Sequence, residues 1–430
     1  MKDVRIMGMN LAQVAIVSAI CFFAALMDWL PTGMIGAFLF FMLSGEILNL
    51  IGNNLPIIKT YLGGGPIVVI FFGAAIVYFG WLPENQIESM QTFMTSGGFL
   101  NFYIAALITG SILGMNRQLL IKAAIRYFPC ILGGLVVALG LVALVGPLVG
   151  FSAGEAIAYV GIPIMGGGMG AGAVPIANVF EGALGIPADQ ILGRLVPAVA
   201  LGNAFAIVAG GLLNRLGKVV PSLSGEGNLM ITDDGSLDIV VEEEYIMRIP
   251  DYGKGIIFAT AFFTLGAIIS NFLNNTFGLD IHTYAWMILS VAIIKAIGIL
   301  PEDIEKACAG WYKFVASNFT AALLIGIGLA YTDLGQIIAA LNVQYVALVA
   351  VVILGAVIGS GFVGKLVGFY PIEAAITGGL CMANMGGTGD VAVLEASNRM
   401  VLMPFAQISS RLGGALIILI ASAIVPILFG

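Results

Sequence analysis

The chain has 430 residues, of which 60% are hydrophobic and only 10% charged, and its formal net charge is −7. A soluble domain averages nearer a quarter charged residues, so this composition excludes an ordinary globular fold and describes a protein built to sit in a lipid bilayer. Acidic residues outnumber basic ones, 24 to 17, and the sequence holds no Lys/Arg cluster of the size used on nucleic acid, which is excluded as a partner.

A helix rises 1.5 Å per residue, so about 20 apolar residues cross the hydrocarbon. The first run, "LAQVAIVSAICFFAALMDWL" from Leu11, is long enough. It exceeds a signal-peptide core and lacks a small-x-small cleavage pattern, so it predicts a first transmembrane helix. The same window predicts eleven spans, near 11–30, 34–52, 66–83, 99–114, 119–149, 191–213, 254–275, 281–299, 306–331, 341–369 and 403–429. Two glycine-rich stretches are left over, 151–186 and 370–400, each broken in the middle by glycines and polar residues. The loop "LPENQIESMQTFMTSGG" reads as an outer connection without Lys or Arg. Cys21, Cys130, Cys308 and Cys381 are far apart, so neither a disulfide framework nor a zinc site is indicated.

Cytoplasmic loops are rich in Lys and Arg. With Lys2 and Arg5 inside, Lys59, Arg117, Lys122, Arg126, Arg215, Lys218, Lys306 and Lys365 all fall on that side. The N-terminus is then cytoplasmic and the C-terminus outside. One long polar connection, 214–253, reads as a cytoplasmic linker.

The two halves resemble each other. "VGFSAGEA" from Val149 matches "VGFYPIEA" from Val367; "GGMG" at Gly167 matches "GGTG" at Gly386; "GRLVPA" at Gly193 and "SRLGGA" at Ser410 share an Arg-Leu. Three matches in one order point to an internal repeat. The first copy follows five spans and the second ten, so they enter the bilayer from opposite faces, as in inverted-repeat secondary transporters. The expected fold is all-α and integral to the membrane. It has an extra N-terminal helix (1–33), a first inverted five-helix repeat (34–213), the linker, and a second repeat (254–430). Each repeat contains a re-entrant hairpin.

At such hairpin tips glycine permits positive φ and a bare main chain, and unpaired backbone at membrane depth is tolerated where it lines a cavity. The freed N–H groups and the positive end of the following half-helix make an anion cradle, while freed carbonyls suit Na⁺ or a proton site. Arg411 lies inside an apolar run, where an arginine costs about 2.5–3.5 kcal/mol on insertion scales and so needs a partner. Its guanidinium could fork onto a substrate carboxylate, pair with Asp390 or Glu395, or reach the interface. Asp390 reads as a cap on the second half-helix, with a coupling-proton site as the alternative. Glu155 and Glu373 read as braces at the hairpin mouths, and Arg399 as a cytoplasmic-edge anchor. Arg194 is either the outer counterpart of Arg411 or interfacial, and His282 is structural.

With "GGGMGAGAVP" (from Gly166), "GGTGDVAVL" (from Gly386) and "LMPFAQISSRLGG" (from Leu402), essentially the whole chain resembles the 2-hydroxycarboxylate transporter family. The resemblance implies a homodimer with an elevator movement, carrying a small organic carboxylate with Na⁺ or H⁺ and using no enzyme cofactor. It makes Arg411 the substrate-carboxylate arginine. Gly168, Met169 and Gly170 of the first tip, with Met385, Gly386, Gly387 and Thr388 of the second, would surround the substrate. Asn384, Ser410 and Thr388 would hold Na⁺. Citrate-specific relatives carry asparagine and a second arginine where this chain has Met169 and Met385. That departure implies a smaller acid such as malate, or a broad 2-hydroxy-acid range. The competing readings are a membrane subunit of a sodium-pumping carboxylate decarboxylase and an anion channel.

Overall fold

The computed structural model describes residues 5–56, 65–114, 117–168, 172–231, 246–277, 283–332, 334–335, 338 and 342–429. Among them there is no strand, only the isolated bridges Ile6–Met9 and Met230–Phe369. The helices that matter here are α1 (Leu11–Leu26), α2 (Met34–Asn54), α3 (Gly65–Phe79), α4 (Glu84–Met94), α5 (Phe99–Leu113), α6 (Arg117–Val145), α7 (Val174–Leu184), α8 (Ala188–Val219), α9 (Ile249–Phe277), α10 (Thr283–Ile297), α11 (Glu302–Tyr331), α12 (Val343–Leu366), α13 (Gly387–Ala396), α14 (Met403–Ile408) and α15 (Gly414–Phe429).

Seven described helical stretches are long and apolar enough to cross a membrane, one of them α4 and α5 taken together, and six apolar ones are shorter. The helix α4 falls within the stretch read as an outer loop. Its mean polarity hides it, but Met90, Phe93 and Met94 lie at helical spacing and are buried, which is what folds it onto the core. The run expected as one helix over 403–429 is α14 and α15 joined by a π turn, Ser409–Gly413.

Two packed groups are evident. In one, α2, α3, α5 and α9 gather about α11, with α10 packed on α9 and α5. In the other, α6 and α12 lie along each other, and α8 and α15 pack against the two broken segments, which end in α7 and α13. Small residues allow the α6–α12 approach: a carbon added at Gly359 would sit 2.1 Å from Gly133 O. Helix α9 is the most exposed candidate span, with 17% of its apolar window buried, so most of its apolar surface faces outward.

Candidate functional site

Neither glycine-rich stretch is an unbroken rod. The first opens with Ala153–Ala156, where Ser152 and Glu155 form a reciprocal capping box, so Glu155 does brace that end. A π turn (Ile157–Gly161) and Ile162–Ile164 follow, before the glycines and α7. The second opens with Pro371–Ala374, continues as a π turn (Ala375–Leu380), and reaches α13 through residues 381–386 without regular structure. Such π turns leave main-chain groups out of the helical ladder and occur frequently at functional sites.

The two glycine turns meet. Gly168 has φ 121° and Gly386 φ 76°. A carbon added at Gly168 would lie 2.7 Å from Met385 O, and one at Gly386 2.9 Å from Gly167 O. Both positions therefore need glycine twice over, for the left-handed backbone and because main chain touches main chain. The π turn Ser409–Gly413 closes a third side, since a carbon at Gly167 would meet Ser410 O at 2.7 Å.

Beside the turns is a buried polar cluster. Asn384 Nδ2 donates to Asp390 Oδ1 at 3.0 Å, and Asn384 Oδ1 accepts the Gly386 N–H at 2.7 Å. The Ser410 hydroxyl lies 2.8 Å from each Asp390 oxygen, 2.9 Å from Cys381 O and 3.0 Å from Ala406 O. One hydroxyl proton serves only one of these acceptors at a time, so this is a set of carboxylate, hydroxyl and carbonyl oxygens of the kind a hard cation takes. Asp390, in the first turn of α13, directs its carboxylate across to Asn384 and Ser410.

Of the expected site residues, Gly168, Asn384, Met385, Gly386 and Ser410 come together here, with the main chain of Gly387 and Thr388 opening α13 and that of Arg411 in the π turn. The side chains of Thr388 and Arg411, and residues Met169, Gly170 and His282, lie outside the described part. Sequence reasoning passed over Asn203. It sits in α8, is fully buried, and accepts the Met385 N–H on Oδ1 at 3.1 Å. The available signal was an amide inside the apolar run "VALGNAFAIV".

One expectation is revised. Arg399, expected as a cytoplasmic-edge anchor, is a buried ion-pair residue: it is 4% exposed and its Nε donates to Glu373 Oε1 at 2.7 Å. Its other nitrogens donate to Ser224 Oγ at 2.8 Å, Asn214 Oδ1 at 3.0 Å and the Ser397 carbonyl. Glu373 also accepts the N–H groups of Gly225 (2.9 Å) and Gly227 (3.3 Å). Glu373 thus braces the start of the second broken segment by clamping the beginning of the polar connection onto it, and Tyr370 N donates to Leu229 O at 2.9 Å alongside. Arg194 is exposed and stacks 5.1 Å from the Tyr159 ring centroid, on the first broken segment.

A cavity of about 290 Å³ separates the two helix groups, lined by Thr95, Asn101, Asn178, Glu181 and Tyr331 among others.

The sequence profile of the 2-hydroxycarboxylate transporter family matches residues 6–423. The chain belongs to that family. It is 36% identical over 427 residues to the citrate/sodium symporter of Salmonella typhimurium, covering 98% of this chain and 94% of that protein. It is 38% identical over 425 residues to the citrate transporter CitP of Leuconostoc mesenteroides, with the same coverage. Against the Na(+)-malate symporter of Bacillus subtilis it is 38% identical over 404 residues, covering 93% and 88%. The family and these relatives are transporters, not enzymes, and family membership with several apolar helices makes this chain a multi-pass protein of the plasma membrane.

Proposed function

We propose that this protein is a secondary active transporter that carries small 2-hydroxycarboxylates such as malate or citrate with Na⁺ as coupling ion, by elevator-type alternating access in a homodimer. The observation that carries the proposal is the meeting of two glycine turns, Gly167–Gly168 and Met385–Gly386, beside a buried oxygen cluster. Main-chain N–H groups at the start of α13 would take one carboxylate and Arg411 another. Asn384, Thr388 and Ser410 would hold Na⁺ beside the acid, with Asp390 adjoining. Two relatives named as sodium symporters support Na⁺ over H⁺.

In this reading the broken segments 151–186 and 370–400 are re-entrant hairpins of two inverted repeats, 34–213 and 254–430. Residues 1–33 form an extra helix and 214–253 a cytoplasmic linker, with the N-terminus inside and the C-terminus out. Both stretches open with a short helix and a π turn and pass through a glycine turn into a second helix, which supports the repeat, though the first adds Ile162–Ile164 after its π turn.

Counterflow of labelled malate, citrate and lactate in proteoliposomes, with and without sodium, tests the function. Saturable exchange of a 2-hydroxy acid that needs sodium is expected. Sodium-independent exchange driven by a pH gradient would move the coupling to H⁺, and steady unsaturable flux would replace the carrier with a channel. Arg411→Lys keeps the charge but loses the two-pronged fork, so its apparent constant for substrate should rise about tenfold or more with the protein still folded. Unchanged uptake kinetics in that variant would remove Arg411 from the site.

A further inference from the structure

Helix α8 enters the site at two consecutive residues. A carbon added at Gly202 would lie 3.0 Å from Ile164 Cγ2 of the first broken segment, while Asn203 reaches the second. The Met385 N–H is a donor only, so the Asn203 oxygen must face it, and this fixes which end of the amide points where. Gly389 confirms the fit, since a carbon there would stand 2.7 Å from Asn203 Oδ1 and 2.8 Å from Asn384 Oδ1. The amide nitrogen is then left over. Asn203 is fully buried, and its Nδ2 has no hydrogen-bond partner among the described residues.

A buried, unpaired donor costs free energy, and a ligand oxygen would relieve that cost. We infer that Asn203 is a substrate-binding residue of this site: its carbonyl holds the second turn in place while its amide nitrogen donates to a carboxylate or hydroxyl oxygen of the bound acid. A cation is the wrong ligand for this end of the amide, because its NH2 group only donates hydrogen bonds and has no lone pair to coordinate with. The inference rests on the transporter reading and adds α8 to the two glycine turns and the π turn Ser409–Gly413.

Asn203→Asp is the discriminating variant. It keeps an oxygen for the Met385 N–H, removes the donor, and sets negative charge beside an anionic substrate. Full-length protein in proteoliposomes should then show an apparent constant for malate raised about tenfold or more, with maximal counterflow largely kept. The affinity should partly recover at acidic pH, where the new carboxyl is protonated and donates again. A purely structural role predicts the opposite split, lower rate with unchanged affinity, and that result would overturn the inference. Should the aspartate variant fail to fold, Asn203→Ala in detergent provides the second measurement: malate and citrate should stabilise it against heat less than they stabilise wild type, and equal stabilisation would refute the role. If wild type itself shows no counterflow, the transporter reading fails and this inference with it. If wild type exchanges malate and Asn203→Asp matches it in affinity, only the assignment of Asn203 falls.

Discussion

Replacing Arg399 by alanine should destabilise the folded protein by about 3–5 kcal/mol, because it strands a buried carboxylate. Glu373 is 0% exposed and its ion-pair partner is 4% exposed, so no solvent can take over the charge. The same guanidinium also ties Ser224 and Asn214 to the mouth of the second broken segment. Losing it should release residues 221–231 from Glu373 and Tyr370, which a protease accessible to that face would detect. The main measurement is the midpoint of heat denaturation in detergent, which should fall well below that of wild type. Adding Glu373→Gln to Arg399→Ala should recover part of the loss, since the stranded charge is gone while the amide oxygen still accepts one of the Gly225 and Gly227 N–H groups, which face different carboxylate oxygens. A single variant melting with wild type would mean that the pair contributes nothing and that the clamp is held elsewhere.

The length of the apolar runs and the glycine punctuation were legible because both are local. A run of apolar residues must bury or face lipid wherever it sits, and a GGxG cannot continue a helix comfortably, so the broken segments announced themselves. Glu155 was legible for the same reason, its cap partner being three residues away. Arg399 was not. Its partners Glu373 and Ser224 lie 26 and 175 residues away, and a lone arginine after a polar turn looks the same whether it faces headgroups or a buried carboxylate. Asn203 was overlooked for a related reason, since its contact with Met385 spans 182 residues and only the folded chain shows which end of the amide is used. The π turns at 157–161, 375–380 and 409–413 have no local code in this sequence; each adds a residue to a turn where neighbouring segments press in. The helix α4 was readable in principle from Ile87, Met90, Phe93 and Met94, but a membrane-length window averages such a short amphipathic helix away.

Gly168→Ala tests the junction itself. At φ 121° any side chain is strained, by about 1–3 kcal/mol on general grounds. The added carbon would also stand 2.7 Å from Met385 O, 2.8 Å from Met385 C and 3.2 Å from Gly386 N. All three are main-chain atoms, so none can swing aside as a flexible side chain would. Relief requires the two turns to separate or the first to refold, and either displaces the main-chain N–H groups proposed to hold the substrate. Counterflow should therefore fall about fivefold to 150-fold, the range the strain alone converts to, while the amount of protein in the membrane changes little because the turn is a small part of the core. Gly182→Ala is the matched control. It lies within α7, meets nothing within 4 Å, and replaces glycine by a better helix former, so it should leave transport intact. Full activity in Gly168→Ala would show that the turns are not in contact during transport, and the site as drawn from their meeting would have to be abandoned.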